Sequence, residues 1–169
     1  MGEDCDEARA VAAAQGTWRR WGRTWRADPA LAALAGECRR AAAATWAAYR
    51  QLAVVAACSA CAADNPGGCC FPEVGRSLGQ ACLLANLLLG VELPRAGSVA
   101  GSCFFVGPTG CRLLIRDAFC VNYFCPAQEQ RLGPAALARL AGLAGGENLA
   151  AAGLETALWR RLERAGERL

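Results

Sequence analysis

The distribution of cysteine constrains this chain more than any other feature of its sequence. Of 11 cysteines, nine lie within residues 58–125, two precede that segment and none follows it. The sequence contains no histidine, which excludes Ser-His-Asp and Cys-His catalytic arrangements, histidine general bases and histidine-ligated zinc or haem. Any metal chemistry in this protein must therefore depend mainly on sulfur.

The overall composition predicts a single globular domain. A chain of 169 residues, of which 54% are hydrophobic, is long enough to bury a core. All 18 basic side chains are arginine and, together with the alanine runs, they indicate codon bias from a GC-rich genome. The net charge of +3 is too small to indicate nucleic-acid binding. The absence of lysine also excludes Schiff-base lysines and Walker-type phosphate lysines.

The cellular compartment bears on the state of the thiols. The N-terminal residues begin acidic and lack the basic and apolar regions of a signal peptide. The longest uncharged apolar stretches, 51–63 and 80–91, are shorter than the ~20 residues that span a bilayer. We therefore expect a cytoplasmic protein without a transmembrane segment, in which thiols stay reduced. The odd number of cysteines also favours metal binding over complete disulfide pairing.

The segment before the cysteine-rich region predicts two helices. Trp18, Trp21 and Trp25 follow i, i+3, i+7 spacing, so they share one helical face, with arginines on the other side. We interpret this face as packing on the core; the alternative is a surface for a membrane or nucleic acid. Asp28 followed by Pro29 predicts the N-cap and first residue of a second helix.

The cysteine-rich region itself predicts one helix and a long irregular stretch. Residues 76–89 predict a buried helix that ends near Gly90. Residues 93–125 are rich in Gly, Pro, Ser and Cys and predict irregular structure with short extended pieces at 104–106 and 112–115.

The C-terminal region returns to helix. Gly133-Pro134 predicts a new helix start, and Gly145-Gly146 predicts an interruption. The last segment carries an apolar stripe with i, i+4, i+8 spacing, formed by Leu154, Leu158 and Leu162.

The predicted fold class is mostly α, with one helical domain wrapped around an irregular, cysteine-rich metal-binding core. We expect N-terminal helices in residues 1–57, the cysteine-cluster core in 58–125 and C-terminal helices in 126–169.

The cysteines of the core fall into two groups of four. Cys58 and Cys61 form a C-x2-C pair, and the turn-forming residues 64–68 can return the chain so that Cys69 and Cys70 reach the same neighbourhood. The second group is formed by Cys103, Cys111, Cys120 and Cys125. Ligand sets of sulfur alone select zinc or iron–sulfur clusters. The spacing allows two four-sulfur sites or one shared polynuclear site, and it matches neither bacterial ferredoxins nor zinc ribbons.

These motifs resemble the YkgJ-like cysteine-cluster family, whose members are described as zinc- or iron-chelating. The family pattern reads C-x2-C, a CC doublet, a helix, and then four further cysteines in G-x-C and C-x4-C contexts. Residues 58–70 match its first half, and the segments 101–105, 110–114 and 116–125 match its second half, over about 40% of the chain. Departures are the seven-residue gap before the doublet, Asp117 in place of a proline, and a proline after Cys125 instead of before it.

The resemblance implies eight metal ligands, namely Cys58, Cys61, Cys69, Cys70, Cys103, Cys111, Cys120 and Cys125. Similarity to the cluster of flagellin lysine methylases favours an iron–sulfur cluster of the 4Fe–4S type over zinc. A protein with such a cluster would carry out electron transfer or redox sensing with an unidentified protein or redox partner. The alternatives are a structural zinc module that binds a partner, and a cluster-dependent transferase.

The remaining polar and sulfur-bearing residues receive more limited interpretations. Arg112 and Arg116 lie among the second group of cysteines, where they would offset thiolate charge and hydrogen-bond sulfur; surface arginines are the alternative. Cys82 lies on an apolar segment and predicts core packing, and Cys5 and Cys38 predict ordinary thiols. No paired carboxylates and no glycine-rich phosphate loop are found, so the sequence assigns no catalytic residue.

Overall fold

The computed structural model describes residues 6–64 and 68–166 and is mostly helical, as predicted. Seven helices lie within these residues, joined by short connections and one small hairpin. In chain order they are α1 Asp6–Ala27, α2 Pro29–Gln51, α3 Val54–Asp64, α4 Pro72–Arg76, α5 Gln80–Leu88, α6 Ala118–Asn122 and α7 Pro126–Arg164. The hairpin consists of β1 Val106–Gly107 and β2 Gly110–Cys111, which pair antiparallel with Val106 opposite Cys111.

The start of α2 is formed as the sequence predicts. The Asp28 carboxylate accepts hydrogen bonds from the backbone N–H groups of Ala30 and Leu31 at 2.9 and 3.2 Å, and Pro29 occupies the first helical turn. Arg161 of α7 also donates to Asp28, at 3.0 Å from its Nε. One carboxylate therefore caps α2 and ties its N-terminus to the C-terminal half of α7.

The long helices pack on one another around the main core. Helix α2 lies along α7, α1 packs against α5, and α5 packs against α7. The predicted apolar stripe of α7 is confirmed, because its three leucines, Leu154, Leu158 and Leu162, are fully buried. The tryptophan face of α1 is also confirmed, since Trp25 is buried and the two other indoles pack partly buried against the same core.

Several predicted boundaries are wrong. The helix predicted at 76–89 begins at Gln80, after the separate short helix α4 and with Gly79 as its N-cap. The predicted end is confirmed, since Gly90 has a left-handed φ of 85°. The bounds of the extended pieces predicted at 104–106 and 112–115 are also wrong, since the two strands are Val106–Gly107 and Gly110–Cys111 and residues 112–115 form no strand.

Two helix breaks were predicted in the C-terminal region, of which one is confirmed and the other is wrong. Helix α7 is interrupted at Gly133, whose φ of 72° and ψ of 168° are not helical, immediately before Pro134. The interruption predicted at Gly145-Gly146 does not occur. The buried residues Ala144 and Glu147 belong to the face that packs on α2, and this packing outweighs the ~1 kcal/mol helix penalty of each glycine.

None of the described helices combines the length and apolar character needed to cross a membrane.

Candidate metal centre

The eight predicted ligands reach one region of the molecule from six places along the chain. Helix α3 carries the C-x2-C pair, and the bend at 68–70 carries the CC doublet. Among the later four, Cys103 precedes β1 and Cys111 lies in β2. Cys120 lies in α6, and Cys125 is the N-cap of α7.

Six of the eight cysteines line a single cavity of about 100 Å³, here called the sulfur cavity. They are Cys58, Cys69, Cys70, Cys103, Cys111 and Cys120. Aromatic side chains form much of the remaining wall, including Trp46, Tyr49, Phe119, Tyr123 and Phe124. One water molecule needs about 10–15 Å³ of such space, so the cavity is large enough for a group bigger than a single water molecule.

The remaining two ligands lie beside the sulfur cavity. Cys61 is exposed, and Cys125 is partly exposed. Both sulfurs are close enough to Cys58 and Cys69 to raise the pKa of those thiols by charge repulsion, although burial is the larger cause at both. The structure thus brings all eight predicted residues into one neighbourhood.

The thiols of the cavity are held in their neutral form. Burial, with a smaller contribution from the charge of neighbouring cysteines, raises the pKa of Cys58 to about 11 and that of Cys120 to about 12. Burial likewise raises the pKa of Cys70. Because a thiolate is the form that binds metal, loading this site releases protons.

The ten described cysteines are free thiols. As the side chains stand, no three Cys, Asp or Glu residues within 6–64 and 68–166 are arranged to hold a metal ion. The donor chemistry fits a sulfur-ligated metal, since six thiols share one largely apolar cavity.

Arg116 is the cation of the sulfur cavity. Its guanidinium carbon lies 4.3 Å from the ring centroid of Trp46 and 5.0 Å from that of Tyr49. Its side chain is 7% exposed, and Nη2 lies 3.8 Å from Oε1 of Glu147, whose side chain is 1% exposed. Nε and Nη2 have no hydrogen-bond partner among the described residues. The alternative of a surface arginine is therefore wrong for Arg116.

Arg112 has a different environment. Its guanidinium donates hydrogen bonds to the carbonyl oxygens of Ala96 and Phe104, at 2.9 and 2.8 Å. These contacts hold the loop before the hairpin. Its charge still reaches Cys111, since Arg116 and Arg112 both oppose the rise in the pKa of that thiol caused by burial. A contact from Arg112 to a cofactor stays a prediction.

The irregular segment after β2 is fixed by side chains from two helices. Asn86 of α5 accepts from the N–H groups of Leu114 and Ile115 at 2.9 and 3.2 Å, and donates to the Ile115 carbonyl at 3.0 Å. Trp46 of α2 donates to the Leu114 carbonyl at 2.8 Å. These bonds place Arg116 and the cysteines that follow it.

Sequence reasoning missed the residues that surround Arg116. Trp46, Tyr49 and Glu147 received no interpretation from the sequence. Glu147 lies on a segment of small residues and carries no local signal of burial. The remaining cysteines agree with their interpretation, because Cys38 and Cys82 are buried in the main core; Cys5 lies outside the described residues.

A second hollow of about 350 Å³ shares Arg116 with the sulfur cavity. Its wall also includes Ser77, Cys82, Asp117 and Glu155.

No family model, curated protein or solved structure matches this chain. The likeness to the YkgJ-like family accordingly stays a prediction based on the cysteine pattern.

Proposed function

We propose that this protein binds a metal centre through eight cysteine thiolates, with an iron–sulfur cluster favoured and zinc as the alternative. The observation that carries the proposal is the sulfur cavity, which gathers six of the eight predicted ligands and has the other two alongside. The helices would then form a frame around a metal-bound, irregular core.

The surroundings of the sulfurs support a centre shielded from water. Trp46, Tyr49 and Phe124 contribute aromatic wall, and burial in such surroundings controls the dielectric around a metal. Arg116 supplies a buried positive charge that would offset the negative charge of the thiolates. Glu147 and the two aromatic rings hold the guanidinium in place.

An iron–sulfur cluster, when bound, supplies one-electron chemistry to the protein. The exposed Cys61 marks the side on which the ligand set comes closest to solvent. An electron-transfer or redox partner would approach from this side. Free thiols are maintained in a reducing compartment, so the proposal includes a cytoplasmic location.

The proposal is tested by anaerobic purification of the full chain, followed by elemental analysis, acid-labile sulfide analysis and absorption spectroscopy. Iron with sulfide and a broad visible absorption supports the cluster, and zinc without sulfide supports the alternative. A colourless protein that carries neither metal and takes up neither on reconstitution contradicts the proposal. The Cys38→Ala variant is the matched control, because Cys38 is buried in the core away from the cavity.

A structural zinc role is the second candidate. The predicted ligands come from α3, the bend, the hairpin region, α6 and the start of α7, so a bound ion would join segments that are distant in sequence. Metal affinity then contributes directly to folding. Chelator-induced unfolding with release of zinc at fixed stoichiometry supports this role, whereas removal of metal without loss of structure contradicts it.

A further inference from the structure

The exposed side of helix α1 is a basic surface that the candidate metal centre does not use. We propose that this side, here called the arginine face, binds the phosphate backbone of double-stranded DNA. The arginine face consists of Arg19, Arg23 and Arg26, which are all exposed. Helices α1 and α2 carry none of the eight predicted metal ligands, so the proposal is independent of the proposed function.

Positive charge is concentrated in the first two helices. Residues 6–51 contain eight arginines and four carboxylates, whereas the remainder of the chain contains ten arginines and eleven carboxylates. The net charge of +3 therefore combines a basic pair of helices, at +4, with a slightly acidic remainder, at −1. Codon bias can explain the use of arginine in place of lysine, but it does not explain why carboxylates are scarce in one region.

Ion pairs within the protein neutralise most of the carboxylates of these two helices. Three of the four are paired, namely Asp6 with Arg9, Glu7 with Arg76 and Asp28 with Arg161. The fourth, Glu37, is exposed. Within residues 6–64 and 68–166, six exposed arginines of α1 and α2 form no ion pair, and these are Arg19, Arg23, Arg26, Arg39, Arg40 and Arg50. The positive charge of the helix pair is therefore available to an external polyanion.

Helical spacing brings the three arginines of the face together. Arg19, Arg23 and Arg26 follow i, i+4, i+7 spacing, so they share one side of α1. Trp25 belongs to the buried side, which packs on the main core. The guanidinium carbon of Arg26 lies 4.9 Å from the ring centroid of Trp18, and this contact holds the cation at one end of the face.

Small residues continue the arginine face towards the N-terminus of α1. Ala12 and Gly16 precede Arg19 and Arg23 by seven residues, about two helical turns, so they lie on the same side. A Cβ atom added at Gly16 would lie 3.8 Å from Nη2 of Arg19, so this guanidinium extends along that side. Helix α1 can therefore come close to a groove. The major groove of B-DNA, about 12 Å wide, admits a helix, whereas that of duplex RNA is too narrow.

The absence of large apolar side chains from the surface of these helices favours DNA over other acidic partners. In the part of the chain that the structure describes, the exposed large hydrophobic residues are Phe119, Tyr123, Leu149 and Trp159, and none lies on α1 or α2. Helices that bind membranes insert apolar side chains, and protein interfaces have an apolar or aromatic centre. Single strands stack on exposed aromatic rings. A DNA duplex can instead be held by arginine contacts to its phosphates.

The experiment measures the fluorescence anisotropy of a labelled DNA duplex of about 20 base pairs during titration with the full chain, at about 50–200 mM salt. Each phosphate contact contributes about −0.9 to the slope of log affinity against log salt, so three contacts predict about −2.7 or steeper. The Arg19→Gln, Arg23→Gln double variant should bind more weakly, with a slope shallower by about 1.8.

The matched control is the Arg95→Gln, Arg131→Gln double variant. It changes the net charge by the same amount at exposed sites outside α1 and α2, so it should bind like the wild type. Absence of binding, or equal loss in both double variants, overturns the proposal. Tighter binding to a single strand, to duplex RNA or to phosphatidylserine vesicles also overturns it. Circular dichroism checks the helical content, and metal-free and metal-loaded protein should bind DNA alike.

A second measurement uses the wild-type chain and does not depend on the variants folding. Phenylglyoxal modifies accessible arginines, and mass spectrometry identifies the modified positions with and without the DNA duplex. We expect the duplex to protect Arg19, Arg23 and Arg26, while Arg95 and Arg131 react as in the free protein. Equal protection of Arg95 and Arg131, or no protection on α1, overturns the proposal.

Discussion

The backbone N–H of Cys103 donates a 2.6 Å hydrogen bond to the carbonyl oxygen of Cys70. This bond joins the two halves of the cysteine pattern across helix α5, which lies between them in sequence. The sulfur cavity forms at this junction, because both residues line it. The hydrogen bond therefore links the position of the CC doublet to the irregular segment that carries the remaining ligands.

Removal of the Arg116 guanidinium should destabilise the protein strongly. Arg116→Ala leaves the carboxylate of Glu147 buried without its cation, and breaking a buried pair in this way costs about 3–5 kcal/mol. Urea unfolding of the metal-free protein measures the loss. The double variant Arg116→Met with Glu147→Leu removes both charges of the pair, so no buried charge is left unpaired. This double variant should be considerably more stable than Arg116→Ala. Equal stability of the two variants would contradict the importance of the pair.

Asn86 should stabilise the segment that leads into the second group of cysteines. Asn86→Ala leaves the N–H groups of Leu114 and Ile115 without their acceptor, and each unsatisfied buried group costs about 1–3 kcal/mol. We expect a large fall in the free energy of unfolding and weaker metal uptake. The exposed Asn122 donates one hydrogen bond to Ala118, so Asn122→Ala is the control and should change stability by less than about 0.5 kcal/mol. A similar effect of both variants would show that the Asn86 network has no special role.

The leucine stripe of α7 should account for much of the packing energy of that helix. Leu154 is fully buried, and truncation of such a side chain to alanine costs about 2–5 kcal/mol because it leaves a cavity. Leu149 lies on the same helix but is 78% exposed. Leu149→Ala should therefore change the urea midpoint little, while Leu154→Ala lowers it clearly. If Leu149→Ala proved as costly as Leu154→Ala, the assignment of the buried face would be wrong.

The metal-free protein should lose stability at alkaline pH. The folded-state pKa of Cys58 is raised to about 11 and that of Cys120 to about 12, from a usual value of 9.0. Because the unfolded thiols lose their protons first, this contribution is fully present below pH 9 and is lost as the pH rises towards 11 and 12. Urea unfolding at pH 8 to 10.5 under reducing, anaerobic conditions measures the slope.

The matched control for the alkaline effect replaces both thiols by alanine. The variant with Cys58→Ala and Cys120→Ala should show a smaller decrease in stability over the same pH range. An unchanged slope would assign the alkaline sensitivity to other groups. Metal loading should also reduce the slope, because the ligating thiolates are then deprotonated before the pH is raised.

Features that depend on neighbouring residues were predicted well. Asp28 and Pro29 determine the start of α2 through local hydrogen bonding and a preset φ, and the structure contains that cap. The periodic leucines of α7 were also assigned to the correct face. By contrast, Gly145-Gly146 did not break the helix, because packing on α2 exceeds the local preference of glycine.

The environment of Arg116 could be recognised only in the tertiary structure. Its aromatic neighbours lie on α2, and Glu147 lies on α7, so no short motif connects them. The hydrogen bond from Trp46 to Leu114 likewise joins residues 68 positions apart. Contacts of this kind depend on how the long helices pack, and a local pattern does not encode that packing.

The sequence by itself determined the chemistry available to this protein and most of its helices. Eleven cysteines and no histidine restrict any metal ligands mainly to sulfur, and helix caps and apolar periodicity act over a few residues. The tertiary structure alone decided which thiols lie together and which charge is buried among them. The packing of Phe124 and Cys58 against one small core and the bond between Cys103 and Cys70 are long-range contacts, so they arise only when the helices and the irregular segment pack together.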